Sequence, residues 1–184
     1  ACLVGSEMCI RDSSNTAPQL QLADSLIDKR ADSALCILEK LSIEEISNKS
    51  AKAMYALLLT EALDKNFKSH RNDSLILIAV DYYKDNSNNK LKTKAYYYLG
   101  RVYQDNKEYI KATEAYLTAL KTASPNQAPI LQIYNNLALC YESQEFYLPA
   151  IKTYKESYAT AEKMQDKYGI LHATRGLGLS LIHI

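Results

Sequence analysis

Tryptophan is absent, phenylalanine occurs twice, and the 184 residues include only 5 Gly and 4 Pro. A β-sandwich or barrel needs turn residues roughly every 8–12 positions, so that class is excluded. Charge of one sign is lacking as well: 22 Lys+Arg against 21 Asp+Glu leave a formal +1. This removes the electrostatic case for nucleic acid. No uncharged apolar run approaches the roughly 18–20 residues of a spanning helix. What is present is 47% hydrophobic and 23% charged residues, with 15 Tyr. Such a composition suits an all-helical globular chain, neither disordered nor membrane-inserted.

Both ends read as foreign. Residues 3–13, LVGSEMCIRDS, and residues 179–184, LSLIHI, are similar to in-frame translations of the two strands of one transposase-based sequencing adapter. We therefore expect 1–13 and 179–184 to be adapter-derived, and set them aside as one would a fusion scar. Cys2, Cys9 and His183 leave with them, so Cys2 and Cys9 are neither a metal half-site nor a disulfide. Setting aside Glu7, Arg11 and Asp12 moves the net charge only from +1 to +2. On this reading the natural termini are missing, and both cytoplasmic and exported, lipid-anchored locations stay open.

The middle of the chain repeats itself. Tyr96-x2-Leu99-Gly100-x2-Tyr103 is followed by Ala112-x3-Tyr116-x2-Ala119. After a shift of 38 come Tyr134-x2-Leu137-Ala138-x2-Tyr141 and Ala150-x3-Tyr154-x2-Ser157. A further shift of 40 reaches Leu177-Gly178. These positions resemble the tetratricopeptide repeat (TPR) family, whose unit is a helical hairpin with large and small residues at these places. Tyr96 and Tyr134 stand at the family's Trp position, Tyr116 and Tyr154 at its Phe position. The resemblance implies an all-α, right-handed α-solenoid of TPR-like hairpins, with units at about 93–126 and 131–164 and a truncated third from 171. It implies that Gly100, Ala112 and Ala119 permit close helix approach while Tyr103 and Tyr116 fill the wider gaps.

Residues 14–88 diverge from the motif but keep helical periodicity. Leu20–Ile27 reads as one amphipathic helix, and Asp32-Ser33 as the cap of a second carrying Ala34, Leu35, Leu38 and Leu41. Ser42-x-x-Glu45 has the spacing of a capping box. Residues 51–63 form a long Ala- and Leu-rich helix in which Leu58, 41 residues before Leu99, marks a degenerate unit. Residues 75–83 suit a buried strand by composition, but a lone strand would leave its backbone unpaired, so helix is expected. Asp73-Ser74 would cap it, and Asp105-Asn106 would turn the next hairpin. The expected hairpins are 17–41, 48–84, 89–122 and 127–164, with a ninth helix from Tyr168 that should fray at Gly178. The polar link at 85–89 is a candidate joint.

Catalytic chemistry is poorly supported: no catalytic residue, metal ligand or cofactor site is assigned. His70 and His172 are isolated, Cys36 lies on an apolar helix face, and Cys140 lies in a helix interior. Glu44-Glu45 are neighbours and do not face one another on a helix. Six tyrosines are accounted for by repeat packing, whereas Tyr97 is expected to project into a groove. The resemblance implies that first helices line a concave surface, at Lys94, Tyr97, Tyr98, Arg101 and Gln104 in one unit. In the next they are Gln132, Asn135, Asn136, Leu139 and Glu142. The candidate partner-binding set is Tyr97, Arg101, Gln104, Gln132, Asn135 and Asn136, with Asn amides able to hold a peptide backbone and Arg101 a carboxylate. A related subclass grips a C-terminal carboxylate with Lys and Asn on one helix, Asn on the next, then Lys and Arg. Only Asn136 matches here; Tyr97, Arg101, His172 and Gly176 occupy the other places, so that clamp is rejected. The expected function is a non-enzymatic interaction module for a protein or peptide, without nucleic acid or membrane insertion; the oligomeric state is left open. A broader likeness to bacterial repeat proteins, exported or joined to signalling domains, keeps a second reading open. In it the array is the sensory half of a larger regulator.

Overall fold

The computed structural model describes residues 16–69, 72–124 and 129–183. The expectations for His70 and for residues 1–13 fall outside the described residues. Nine helices and no strand are found among those described: α1 (Thr16–Leu26), α2 (Ala31–Leu38), α3 (Lys49–Lys65), α4 (Ser74–Tyr83), α5 (Asn89–Asp105), α6 (Tyr109–Thr122), α7 (Pro129–Ser143), α8 (Tyr147–Met164) and α9 (Lys167–Ile182). The chain is an all-α helical-repeat solenoid.

Packing is between neighbours. Each helix contacts the next, and α1, α3, α5, α7 and α9 also touch along their own row. The even-numbered helices do not touch one another. The odd-numbered row is thus the short, inner side of the array. Small apolar clusters follow this order. One joins α1, α2 and α3 around Leu20, Leu35, Leu38 and Leu58. The next joins α3 to α6 around Leu57, Ile76, Tyr98 and Val102. A third seats Tyr116 against Ile133, Leu137 and Cys140. Such a stack has no single core and gains stability interface by interface.

In the two full units the tight contacts fall where the motif places them; in the third they fall at Gly176 and not at the expected Gly178. A Cβ added at Gly100 would lie 2.4 Å from Cε1 of Tyr116, a fully buried ring. Ala112, Ala119, Ala138 and Ala150 are fully buried, and Tyr154 and Leu137 are buried beside them. Tyr96, Tyr103, Tyr134 and Tyr141 are half-buried. On α9 the close approach is at Gly176, whose added Cβ would lie 2.3 Å from the Tyr154 ring; at Gly178 nothing lies within 4 Å.

Turns carry a repeat that the motif does not. Phe67, Lys107 and Glu145 adopt left-handed backbone (φ 55°, 61° and 61°) at intervals of 40 and 38 residues. Each ends a helix in the same way: Lys68, Glu108 and Phe146 donate to the carbonyls of Leu63, Tyr103 and Tyr141, six residues to one, at 2.8–3.0 Å. This is the Schellman arrangement, made here without glycine. It sets α3 in register with α5 by 40 residues, so Leu59 and not Leu58 corresponds to Leu99.

Several local expectations are corrected. Asn48, not the Ser42–Glu45 box, caps α3, accepting from the Ala51 amide at 3.1 Å; the Ser42 hydroxyl instead donates to Glu44 at 2.5 Å. α2 begins after Arg30 with no side-chain cap, and Asp32 sits in its first turn. Asp73 precedes α4 without capping it: its backbone is already helical (φ −88°, ψ −8°), Asn72 accepts from the Ser74 amide at 3.2 Å, and the Asp73 carboxylate accepts from the Tyr103 hydroxyl at 3.1 Å. The 85–89 link contains a cap, Asn88, which accepts from the Leu91 amide. Cys36 is exposed, off the buried face of Ala34, Leu35 and Leu38, whereas Cys140 is buried. α9 does not stop at Gly178: Ser180 is buried and donates to Glu142, and His183 stacks on Tyr147. No described helix is long and apolar enough to cross a membrane.

Candidate functional site

The inner row carries a seam of polar contacts. At the α1 end the Lys65 ammonium lies 2.5 Å from Asp28 and 3.0 Å from Glu61. Glu61 is buried, and its second oxygen, which makes no well-angled hydrogen bond, has the Lys94 ammonium 2.5 Å away as counter-charge. One turn on, Asp64 pairs with Arg101 at 2.9 Å. Glu61 and Asp64 stand, by the register of 40, where Arg101 and Gln104 stand on α5. The α3 unit thus uses its own groove positions to bind the α5 groove positions.

Arg101 is consequently not free for a partner. Burial opposes its charge, but the Asp64 carboxylate outweighs this and holds the guanidinium's pKa above its ordinary value. Asp105 lies 3.7 Å away, and the Gln104 carbonyl 3.5 Å. Gln104 also accepts from the Tyr116 hydroxyl at 2.8 Å, so it braces the hairpin. Tyr98, an implied groove position, is buried, and burial first, then Glu61, raises its hydroxyl pKa. Tyr97 is half-buried, edge-on to Tyr98 at 4.9 Å, and its oxygen accepts from the Asn136 amide at 3.3 Å. Burial, with help from Asp64, pushes the Tyr97 hydroxyl up to about 12. Asn135 accepts from the buried Ser157 hydroxyl at 3.1 Å. Arg101 and Asn135 therefore serve the packing as well.

Past Arg101 the seam opens. A groove of about 460 Å³ lies between α5, α7 and α9. Five of the six candidate residues line it: Tyr97, Arg101, Gln132, Asn135 and Asn136. Gln104 does not. Motif reading missed Asp64, Leu131, Asp166 and Tyr168, and had Leu139 and His172 only as family positions. Asp166 caps α9, accepting from the amides of Tyr168 and Gly169 at 3.0 and 3.1 Å. Leu139 and Tyr168 leave 43% and 79% of their surface to solvent, so the groove has an apolar side as well as amides. Cys140 lies behind it, and burial pushes its thiol up to about 12, away from nucleophilic use. No group of three His, Cys, Asp or Glu converges among the described residues.

Inner helices that touch, outer helices that splay and an open inner groove together define a helical-repeat scaffold. Residues 92–163 match the model of the tetratricopeptide repeat family. Solved structures share the fold. One is a Podosopora anserina kinesin-light-chain-like protein of nearly identical TPR-like repeats (TM-score 0.68, 17% identity, covering 95% of this chain and 89% of that one). Two are MamA structures: one with TM-score 0.55, 22% identity and coverage of 85% and 79%, and one from AMB-1 with 0.56, 17%, 92% and 98%. No curated protein matches the chain.

Proposed function

We propose that the chain binds an extended peptide or partner segment in the groove between α5, α7 and α9. The observation that carries this is the pairing, in one open channel, of the Gln132, Asn135 and Asn136 amides with exposed Leu139 and Tyr168. Amides match the alternating donors and acceptors of an extended backbone. Exposed aromatic and aliphatic side chains on a rigid wall give the desolvated contacts that dominate binding. The reading is of a binding module and not of an enzyme.

Peptides selected from a random display library on the purified protein should lose affinity about tenfold or more in Tyr168→Ala and Leu139→Ser. Neither side chain is buried, so helicity should hold. Peptides indifferent to both changes but lost in Leu117→Ser or Leu148→Ser, on the α6–α8 outer surface, would overturn the assignment.

A further inference from the structure

The groove's charges point to what it takes. Among the described residues, three carboxylates face the groove and the adjoining pocket between α7 and α9: Asp64, Asp166 and Glu142. Two guanidiniums face them, Arg101 and Arg175, with an exposed imidazole at His172. Each carboxylate is engaged from within. Asp64 holds Arg101, Asp166 holds two amides at the positive end of α9, and Glu142 accepts from the hydroxyls of Tyr154 at 3.1 Å and Ser180 at 2.5 Å. An acidic segment would meet an excess of carboxylate, and to reach Arg101 it would have to displace Asp64 from a half-buried pair. A basic segment would have to compete with Arg101 for Asp64 and with the α9 amides for Asp166, and would face the Arg101 and Arg175 guanidiniums. An uncharged segment meets neither obstacle, and Leu139, Tyr168 and Tyr97 offer it apolar contact.

We infer that the occupant is an uncharged, apolar stretch of polypeptide, held by its backbone and by aliphatic or aromatic side chains, and not a charged tail. This rests on the groove reading above. It also reverses the expectation that Arg101 is a carboxylate receptor.

Three fluorescent decapeptide pools test it: one of Leu, Phe, Ser and Gly, one with Asp and Glu at alternate positions, and one with Lys and Arg there. Anisotropy on the full chain should show the uncharged pool binding about tenfold or more tighter than either charged pool. Its affinity should change by less than about twofold between about 0.05 and 0.5 M salt, where screening would suppress a charge-driven contact. Arg101→Gln should leave the acidic pool no weaker. A charged pool that binds tightest, and loses that binding in Tyr168→Ala and Leu139→Ser, would overturn the inference while leaving the groove standing. If no pool responds to those two changes, the groove reading itself fails.

Discussion

Two glycines of the same sequence separate packing from propensity. Gly100 lies under the Tyr116 ring, whereas Gly178 has open space where a Cβ would go. Alanine raises helix propensity at both sites by about 0.8–1 kcal/mol. At Gly100 that gain is overwhelmed by a contact of 2.4 Å with a fully buried ring. We expect Gly100→Ala to destabilise by about 1–2 kcal/mol net and Gly178→Ala to stabilise by up to about 1 kcal/mol, read as urea midpoints. Equal effects of one sign would contradict this packing. The buried tyrosines set a limit at high pH. Tyr83 and Tyr97 are each pushed up to about 12, chiefly by burial. Above their ordinary value of 10.0 the unfolded chain releases those protons while the folded chain keeps them. Their contribution is whole below pH 10 and is lost as pH rises towards 12. Urea midpoints should therefore hold to about pH 9.5 and fall steeply beyond, less steeply in Tyr97→Phe; a flat profile to about pH 11.5 would contradict it.

Helices were legible because their apolar spacing is regular and their ends are polar. All nine were readable, including α4, whose Ile-Val-Tyr content suits a strand; the strand was rejected for want of a partner. Caps were less legible. Asp73 has the right residue type in the right place, but its backbone is helical and its carboxylate turns to the Tyr103 hydroxyl of another unit. The register of α3 was misread by one residue because Leu57, Leu58 and Leu59 are consecutive, and only the backbone turn at Phe67 tells which one matches Leu99. The family positions on α5 and α7 pointed to Tyr97, Arg101, Asn135 and Asn136, which line the groove between α5, α7 and α9. The seam was not readable, since Asp64 and Arg101 are 37 residues apart and no motif links them. At the turns, a non-glycine residue in left-handed backbone costs about 1–2 kcal/mol. Phe67 bears that cost while 98% exposed. Phe67→Gly should raise stability by up to about 1 kcal/mol, the relief being partly offset by a freer unfolded chain; a loss of stability would show that the ring has a contact of its own.

At the scale of the whole array, the two ends of the inner row are joined by different chemistry. From α1 to α5 the links are ionic, through Asp28, Lys65, Glu61, Lys94, Asp64 and Arg101. From α5 to α9 they are hydrogen bonds without an ion pair, through Tyr97 and Asn136 and through Glu142 and Ser180. Glu61 is the hinge of the ionic half, since it is buried and neutralises two lysines. Glu61→Gln leaves both ammoniums without that counter-charge and should cost about 2–4 kcal/mol. Hydrogen exchange should localise the loss to α3 and α5, sparing α8. Uniform loosening along the chain, or none, would show that Glu61 does not hold the joint.

This division makes the solenoid a spring of two stiffnesses. Added electrolyte weakens the Asp28–Lys65 pair, whose Asp28 side chain is exposed, and reaches the buried Glu61 pairs and the neutral hydrogen bonds much less. Rising ionic strength would thus loosen the first hairpin against the second while the arc around the groove keeps its radius. A segment clasped at α5, α7 and α9 would feel no change, yet the leading end of the coil would swing more widely about it.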